Sequence, residues 1–305
     1  MNVRCAILPP ARYGLVVVLL AMSAAGCHIA GLGSPVSDSL ANSRKLSQQG
    51  VTAMDRGQQK EANTYLAKAV QTCPSNGEAR REYADCLWQR GARAEAITQL
   101  EEACRLNPDD ATIRVRLTEM HLAMGQREQA RASAETAINL NPKLPAAWLA
   151  RGRVMRASGN LPEALADFHR ALGEAPYDQQ TLLEVAEAYR LMNQPQRALE
   201  TLQSLADTYS PAEEPQQVLY LLGLAYVAAR RYDDGVESFT AAANRQQPTA
   251  EILYRLAQAQ WLAGRPGDAV AAAQAALAME PRHQSCRELL DRIELARQTN
   301  VPLRR

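Results

Sequence analysis

Few side chains here combine type and spacing in a way that could do chemistry. The chain has six cysteines and four histidines. A zinc site needs thiolate and imidazole donors at short, regular intervals, but there is no CxxC and no suitable Cys/His spacing. There is no nucleophile elbow, HExxH pair or glycine-rich phosphate loop. The adjacent carboxylates Glu101 and Glu102 read as a solvated helix face rather than an acid/base pair. No catalytic residue, cofactor or metal is expected, and the chain is not expected to be an enzyme. The one cysteine in a distinctive setting is Cys27. It follows an apolar run of signal-peptide length, Gly14–Met22, and the small residues Ser23, Ala24, Ala25 and Gly26.

The reason so little is free for chemistry lies in the rest of the chain, which repeats. With Ser43, Gly77, Ala111, Pro145, Gln179, Gln216 and Ala250 as first positions, the period is 34 residues with one slip of three. Position 8 is small in each: Gly50, Ala84, Thr118, Gly152, Ala186, Gly223, Ala257. Position 15 is a helix-stopping residue, Gly57, Gly91, Gly125, Gly159, Asn193 and Gly264, except for Arg230. Positions 20 and 27 are Ala almost throughout, and a proline closes every repeat. Between these residues apolar side chains recur at helical spacing. Each repeat therefore predicts two antiparallel helices of about 12 to 14 residues, each roughly 20 Å long.

This pattern resembles tetratricopeptide repeat proteins, over roughly 240 of the 305 residues. Trp148, Leu117, Leu222, Tyr189, Tyr226, Phe168 and Phe239 stand at the family's larger consensus positions. The resemblance implies an all-α, right-handed α-solenoid with seven hairpins over 43–281. A capping helix is expected over 282–298 and a tail over 299–305. The slip falls at Ser210–Pro215. Cys86 and Cys104 fall on opposed helices of repeat two. An oxidising compartment would permit a disulfide there, and a buried free thiol is the other reading. His121 is expected to pack, His169 to be exposed, and His283 to lie near the cap.

Ser23–Cys27 resembles the lipobox of bacterial lipoproteins, with Ala24 where leucine is usual. That resemblance implies a signal peptide over 1–26, acylation (palmitate included) of Cys27 and a membrane anchor. An ordinary cleaved signal and an uncleaved anchor over Tyr13–Gly33 are the alternatives. His28–Asn42 is Gly/Ser-rich, and 27–42 reads as a flexible tether reaching on the order of 20 Å. His28, not Asp, follows the cysteine. By analogy with Gram-negative sorting this points to the outer rather than the inner membrane, facing the periplasm. Without residues 1–26 there are 32 basic and 33 acidic side chains, and no basic stripe suits nucleic acid.

In the family, positions 2, 5, 9, 12 and 13 of the first helices line a concave groove for a protein or peptide segment. Carried over, the groove of repeats four to seven holds Leu149, Arg153, Arg156, Leu183, Glu187, Arg190, Tyr220, Leu224, Val227, Tyr254 and Trp261, and packing of the apolar ones between adjacent repeats is the other reading. The carboxylate clamp of chaperone-binding members is absent, since its positions hold Ser47, Val51, Arg81 and Asp85. The expected function is a membrane-tethered interaction scaffold that helps assemble an envelope complex, such as pilus, secretion or outer-membrane machinery. A non-catalytic accessory subunit of a cell-wall or polysaccharide enzyme, or a soluble periplasmic repeat protein, is the alternative.

Overall fold

A computed structural model of the chain describes residues 35–210 and 212–299. The signal-like segment and Cys27 lie outside the described residues. The fold is all helical. In chain order the helices are α1 Pro35–Asp55, α2 Gln59–Thr72, α3 Gly77–Gln89, α4 Arg93–Leu106 and α5 Ala111–Ala123. They continue with α6 Arg127–Leu140, α7 Pro145–Ala157, α8 Leu161–Glu174, α9 Gln179–Leu191 and α10 Pro195–Ala206. The last five are α11 Gln216–Ala228, α12 Tyr232–Arg245, α13 Ala250–Leu262, α14 Pro266–Met279 and α15 Gln284–Thr299. Odd-numbered helices up to α13 are the first helices of seven successive hairpins, and α15 packs on α14 and α13. The chain divides into two compact units, residues 1–79 and 80–305. The first holds the α1–α2 hairpin, and the second holds the remaining hairpins and α15.

In the first unit the tether expected over 27–42 is corrected for residues 35–42, which belong to α1, while residues 27–34 lie outside the described residues. Proline suits a first helical turn, where its missing N–H costs nothing, and Asp38 faces the positive end of the helix dipole. Half-buried Ser39 and Leu40 extend the inward stripe of Ser43, Leu46, Ser47 and Gly50. That stripe is mostly small and polar, so its periodicity is silent in hydrophobicity. The buried Ser43 hydroxyl donates to the Ala69 carbonyl at 2.8 Å and accepts from Asn76 Nδ2 at 3.0 Å.

Every hairpin turns in the same way. The N–H of position 15 donates to the carbonyl of position 12, and that of position 16 to position 11, as in Gly57 to Met54 and Gln58 to Ala53. This pair of hydrogen bonds satisfies carbonyls at the end of the first helix, and it requires a left-handed residue at position 15. All seven have positive φ, including Asn193 at 55° and Arg230 at 60°.

Within each hairpin, position 8 meets position 24. A Cβ added to Gly50 would lie 2.5 Å from Leu66 Cγ, one on Gly152 2.4 Å from Phe168 Cε1, and one on Gly223 2.7 Å from Phe239. In the other repeats the pairs are Ala84 with Leu100, Thr118 with Ala134, Ala186 with Leu202 and Ala257 with Ala273, all buried. The bulkiest second-helix residues at this crossing, Phe168 and Phe239, stand where position 8 is Gly, as close packing requires.

Repeat four holds a polar cluster around Trp148. Trp148 donates through its indole N–H to the Pro142 carbonyl at 2.7 Å and is flanked by the guanidinium groups of Arg151 and Arg170. Arg151 also holds the buried Asp167 carboxylate with two hydrogen bonds, at 2.8 and 2.6 Å. Cys73, Cys86, Cys104 and Cys286 are all free and buried, so the disulfide considered for Cys86 and Cys104 is not formed. Burial pushes the Cys86 and Cys104 thiols up.

Candidate interaction surface

In the second unit the first helices lie side by side, and their facing positions meet across repeats. In repeats two to five these contacts are ionic. Asp85 on α3 accepts from Arg116 on α5 at 2.6 Å, and Arg116 also donates to Glu119 at 2.9 Å. Arg153 on α7 lies 3.9 Å from Glu119 and donates to Glu184 on α9 at 2.7 Å. Arg156 Nε stands 3.0 Å from the other Glu184 oxygen. Glu187 and Arg190 pair through two bonds of 2.7 Å, and these hold the Arg190 guanidinium above its ordinary value. The ladder uses four arginines and four carboxylates, so it is neutral overall.

In repeats six and seven the same face is largely apolar. Tyr220, Leu224 and Val227 are half-buried against Val236, Phe239, Leu256 and Ala259. Tyr220 tilts onto Phe239, with ring centroids 5.8 Å apart, and its hydroxyl donates to Glu251 at 3.4 Å. Burial and the Glu251 carboxylate both push this phenol up. Glu251 also accepts from Arg255 at 2.6 Å and lies 3.6 Å from His283. Tyr254 and Trp261 are half-buried in a separate cluster with Ala257, Ala269, Ala273 and the α15 residues Leu289 and Ile293. The His283 ring is tilted against Tyr254, with centroids 5.2 Å apart, and accepts from the Cys286 N–H at 3.3 Å, so it caps α15. A cleft of about 280 Å³ opens between α11 and α13, lined by Gln216, Gln217, Tyr220, Thr249, Glu251 and Ile252.

The eleven groove candidates thus divide. Arg153, Arg156, Glu187 and Arg190 form one ionic face. Tyr220, Leu224 and Val227 form a second group, Tyr254 and Trp261 a third, and Leu183 packs against the core of repeats five and six. Leu149 is corrected: only 7 % exposed, it belongs to the core with Val115, Trp148, Phe168 and Val185. Position 5 is also buried in Ser47 and Val115, because there it faces a neighbouring helix rather than solvent. Glu184 and Glu251 belong to the surface but were not among the candidates. Their sign opposite to Arg153 and Arg255 was the available signal, legible only once the register between repeats is known. His121 is buried and hydrogen-bonded to Gln126 at 2.7 Å, and His169 is exposed. Among the described residues no cluster could hold a metal ion, and no helix is long and apolar enough to cross a membrane.

Stacked helical hairpins with one shared turn and one shared crossing define a helical repeat protein. Two family models, both described as tetratricopeptide repeat, match the chain: one at residues 48–111 and 220–283, the other at 87–154 and 155–217. The chain belongs to the tetratricopeptide repeat family. Comparison with curated protein sequences gives no match. Among solved structures, a tetratricopeptide repeat protein from Parabacteroides merdae is similar over 83 % of this chain and 99 % of its own, with TM-score 0.62 and 16 % identity. PilW, a widely conserved type IV pilus biogenesis factor, is similar over 70 % of this chain and 98 % of its own, with TM-score 0.64 and 17 % identity. YrrB, a repeat protein with an unusual peptide-binding site, is similar over 62 % and 96 %, with TM-score 0.52 and 17 % identity. At such identities the likeness is one of fold.

Proposed function

We propose that this protein is a membrane-tethered interaction scaffold outside the cytoplasm, anchored through acylated Cys27 and assisting assembly of an envelope complex. The observation that carries the reading is the repeat array itself. The residues that fix the turn and the crossing recur in all seven hairpins, an architecture that presents an extended surface for recognition. The lipobox-like Ser23–Cys27 supports the anchor. The fold shared with a pilus biogenesis factor and a peptide-binding repeat protein supports partner capture in assembly. A protein segment docks on the first-helix face of repeats five to seven, where half-buried aromatic and aliphatic side chains adjoin arginines. Catalysis has no part in this reading.

Two measurements test it. Mass spectrometry of the mature amino terminus should find an acylated Cys27, and an unmodified cysteine or another start would remove the anchor from the reading. A photo-crosslinking residue at exposed Gln217, on the α11 face, should trap an envelope protein in cells. The same group at exposed Glu237, on α12, should not. Equal labelling from both sites, or none from Gln217, would overturn the docking face.

A further inference from the structure

The last helix is held at its start by a side chain that can change charge. His283 Nδ1 accepts the Cys286 N–H at 3.3 Å, one of the donors that the first turn of α15 cannot satisfy within the helix. A ring nitrogen that accepts carries no proton, so this bond assigns the neutral imidazole with its proton on Nε2. Nε2 lies 3.6 Å from Glu251 on α13. His121 is built the other way. Its Nδ1 faces the Gln126 side-chain oxygen, an acceptor, at 2.7 Å, so that bond survives when the ring is charged.

The surroundings offset little of the cost of a second proton. Glu251 is the facing carboxylate, but its side chain is 44 % exposed and already accepts from Arg255 at 2.6 Å and from the Tyr220 hydroxyl of α11 at 3.4 Å. Also on α13, Tyr254 tilts against the imidazole, and the Arg255 guanidinium lies over the same tyrosine ring. The turn before α15 brings Arg282 and Glu280, whose carbonyl accepts the His283 N–H at 3.0 Å. α15 brings Arg287, which donates to the Pro281 carbonyl, and the Cys286 thiol, which burial and then Glu251 and Glu280 push up. α14 adds the apolar Ala276 and Leu277. Two carboxylates thus stand among three guanidinium groups, around a side chain only 12 % exposed.

We propose that His283 is a proton-operated latch, whose protonation unseats the first turn of α15 and opens the C-terminal end of the array. A proton on Nδ1 turns an accepted hydrogen bond into two opposed N–H groups. It also sets a cation against the positive end of the α15 dipole. The neutral ring holds the docked turn, and an undocked turn takes up the proton without either penalty. Docking is therefore favoured at neutral pH and is lost as pH falls through the ordinary imidazole range. Cys286 in that turn packs with Ala250, Leu253, Ala276 and Leu277, and α15 beyond it covers Ala257, Ala269 and Ala273. Acid thus uncovers the apolar end of repeat seven. The latch is independent of Cys27 and of the docking face.

The test is amide hydrogen exchange of the whole chain, corrected for intrinsic rates, at about pH 7.5 and about pH 5.5. Protection of α15 should fall about fivefold in acid, as for the loss of one helix cap, while protection of α7 stays level. In His283→Asn the side-chain amide caps without titrating, so α15 should stay protected at both pH values. Glu251→Gln should leave the acid response in place. In nuclear magnetic resonance the His283 imidazole and the α15 amides should change with one midpoint, a readout that needs no variant. Protection of α15 that is unchanged or raised in acid overturns the proposal. So does an acid response that persists in His283→Asn or vanishes in Glu251→Gln, or a pair of separate midpoints. Should His283→Asn be open at both pH values, the shared midpoint decides.

Discussion

The ionic face of repeats two to five and the apolar face of repeats six and seven are built on one register. Asp85 meets Arg116, Arg153 meets Glu184 and Tyr220 meets Glu251, each pair 31 residues apart. In these three contacts the pairing falls three residues, about one helical turn, short of the 34-residue period, whatever side chains occupy it. The fold fixes where repeats touch and leaves the chemistry of the touch to the sequence. The ladder gives little net stability, because partly exposed pairs are screened and their desolvation offsets attraction. The apolar face is held by buried area, which salt barely changes.

The largest expected effect breaks the apolar half by volume. Gly223→Val drives a side chain into Phe239 and should cost about 3 kcal/mol by urea unfolding followed by circular dichroism. Gly223→Ala combined with Phe239→Leu should recover most of that loss, because it recreates the buried Ala84 and Leu100 pair. Next, Leu224→Ala should cost about 2 kcal/mol, equally at low and high salt. Glu184→Gln removes the partner of both Arg153 and Arg156 and should cost about 1 kcal/mol at low salt, roughly half of it vanishing in about 1 M NaCl. A salt-independent loss there would erase the distinction between the two faces. The smallest effect has the opposite sign: Arg230→Gly should stabilise by about 0.5–1 kcal/mol, through relief of its left-handed backbone.

Residues with a steric role were legible in the sequence. Position 15 must be left-handed and position 8 must admit a crossing helix, and both demands restrict residue type strongly enough to show in one chain. Roles set by neighbours were not legible. Leu149 looks like a surface leucine on its own helix, and only the adjacent Val115 and Val185 make it core. The start of α1 was hidden because Ser39, Ser43 and Ser47 pack by size and, for Ser43, by hydrogen bonding rather than by hydrophobicity. The pairing of Arg153 with Glu184 depends on the one-turn offset, which a 34-residue period does not reveal.

The size matching of positions 8 and 24 has a consequence for how the chain avoids error while folding. Seven near-copies in one chain offer many wrong partners: the first helix of one repeat could close on the second helix of another. Gly152 admits Phe168, but Thr118 in its place would collide with that ring. Ala134, which fits Thr118, would leave a void against Gly152. Crossings of different size therefore discriminate against one another, so a hairpin mispaired between repeats three and four is penalised at its centre, whereas the matching Gly/Phe crossings of repeats four and six leave that exchange open.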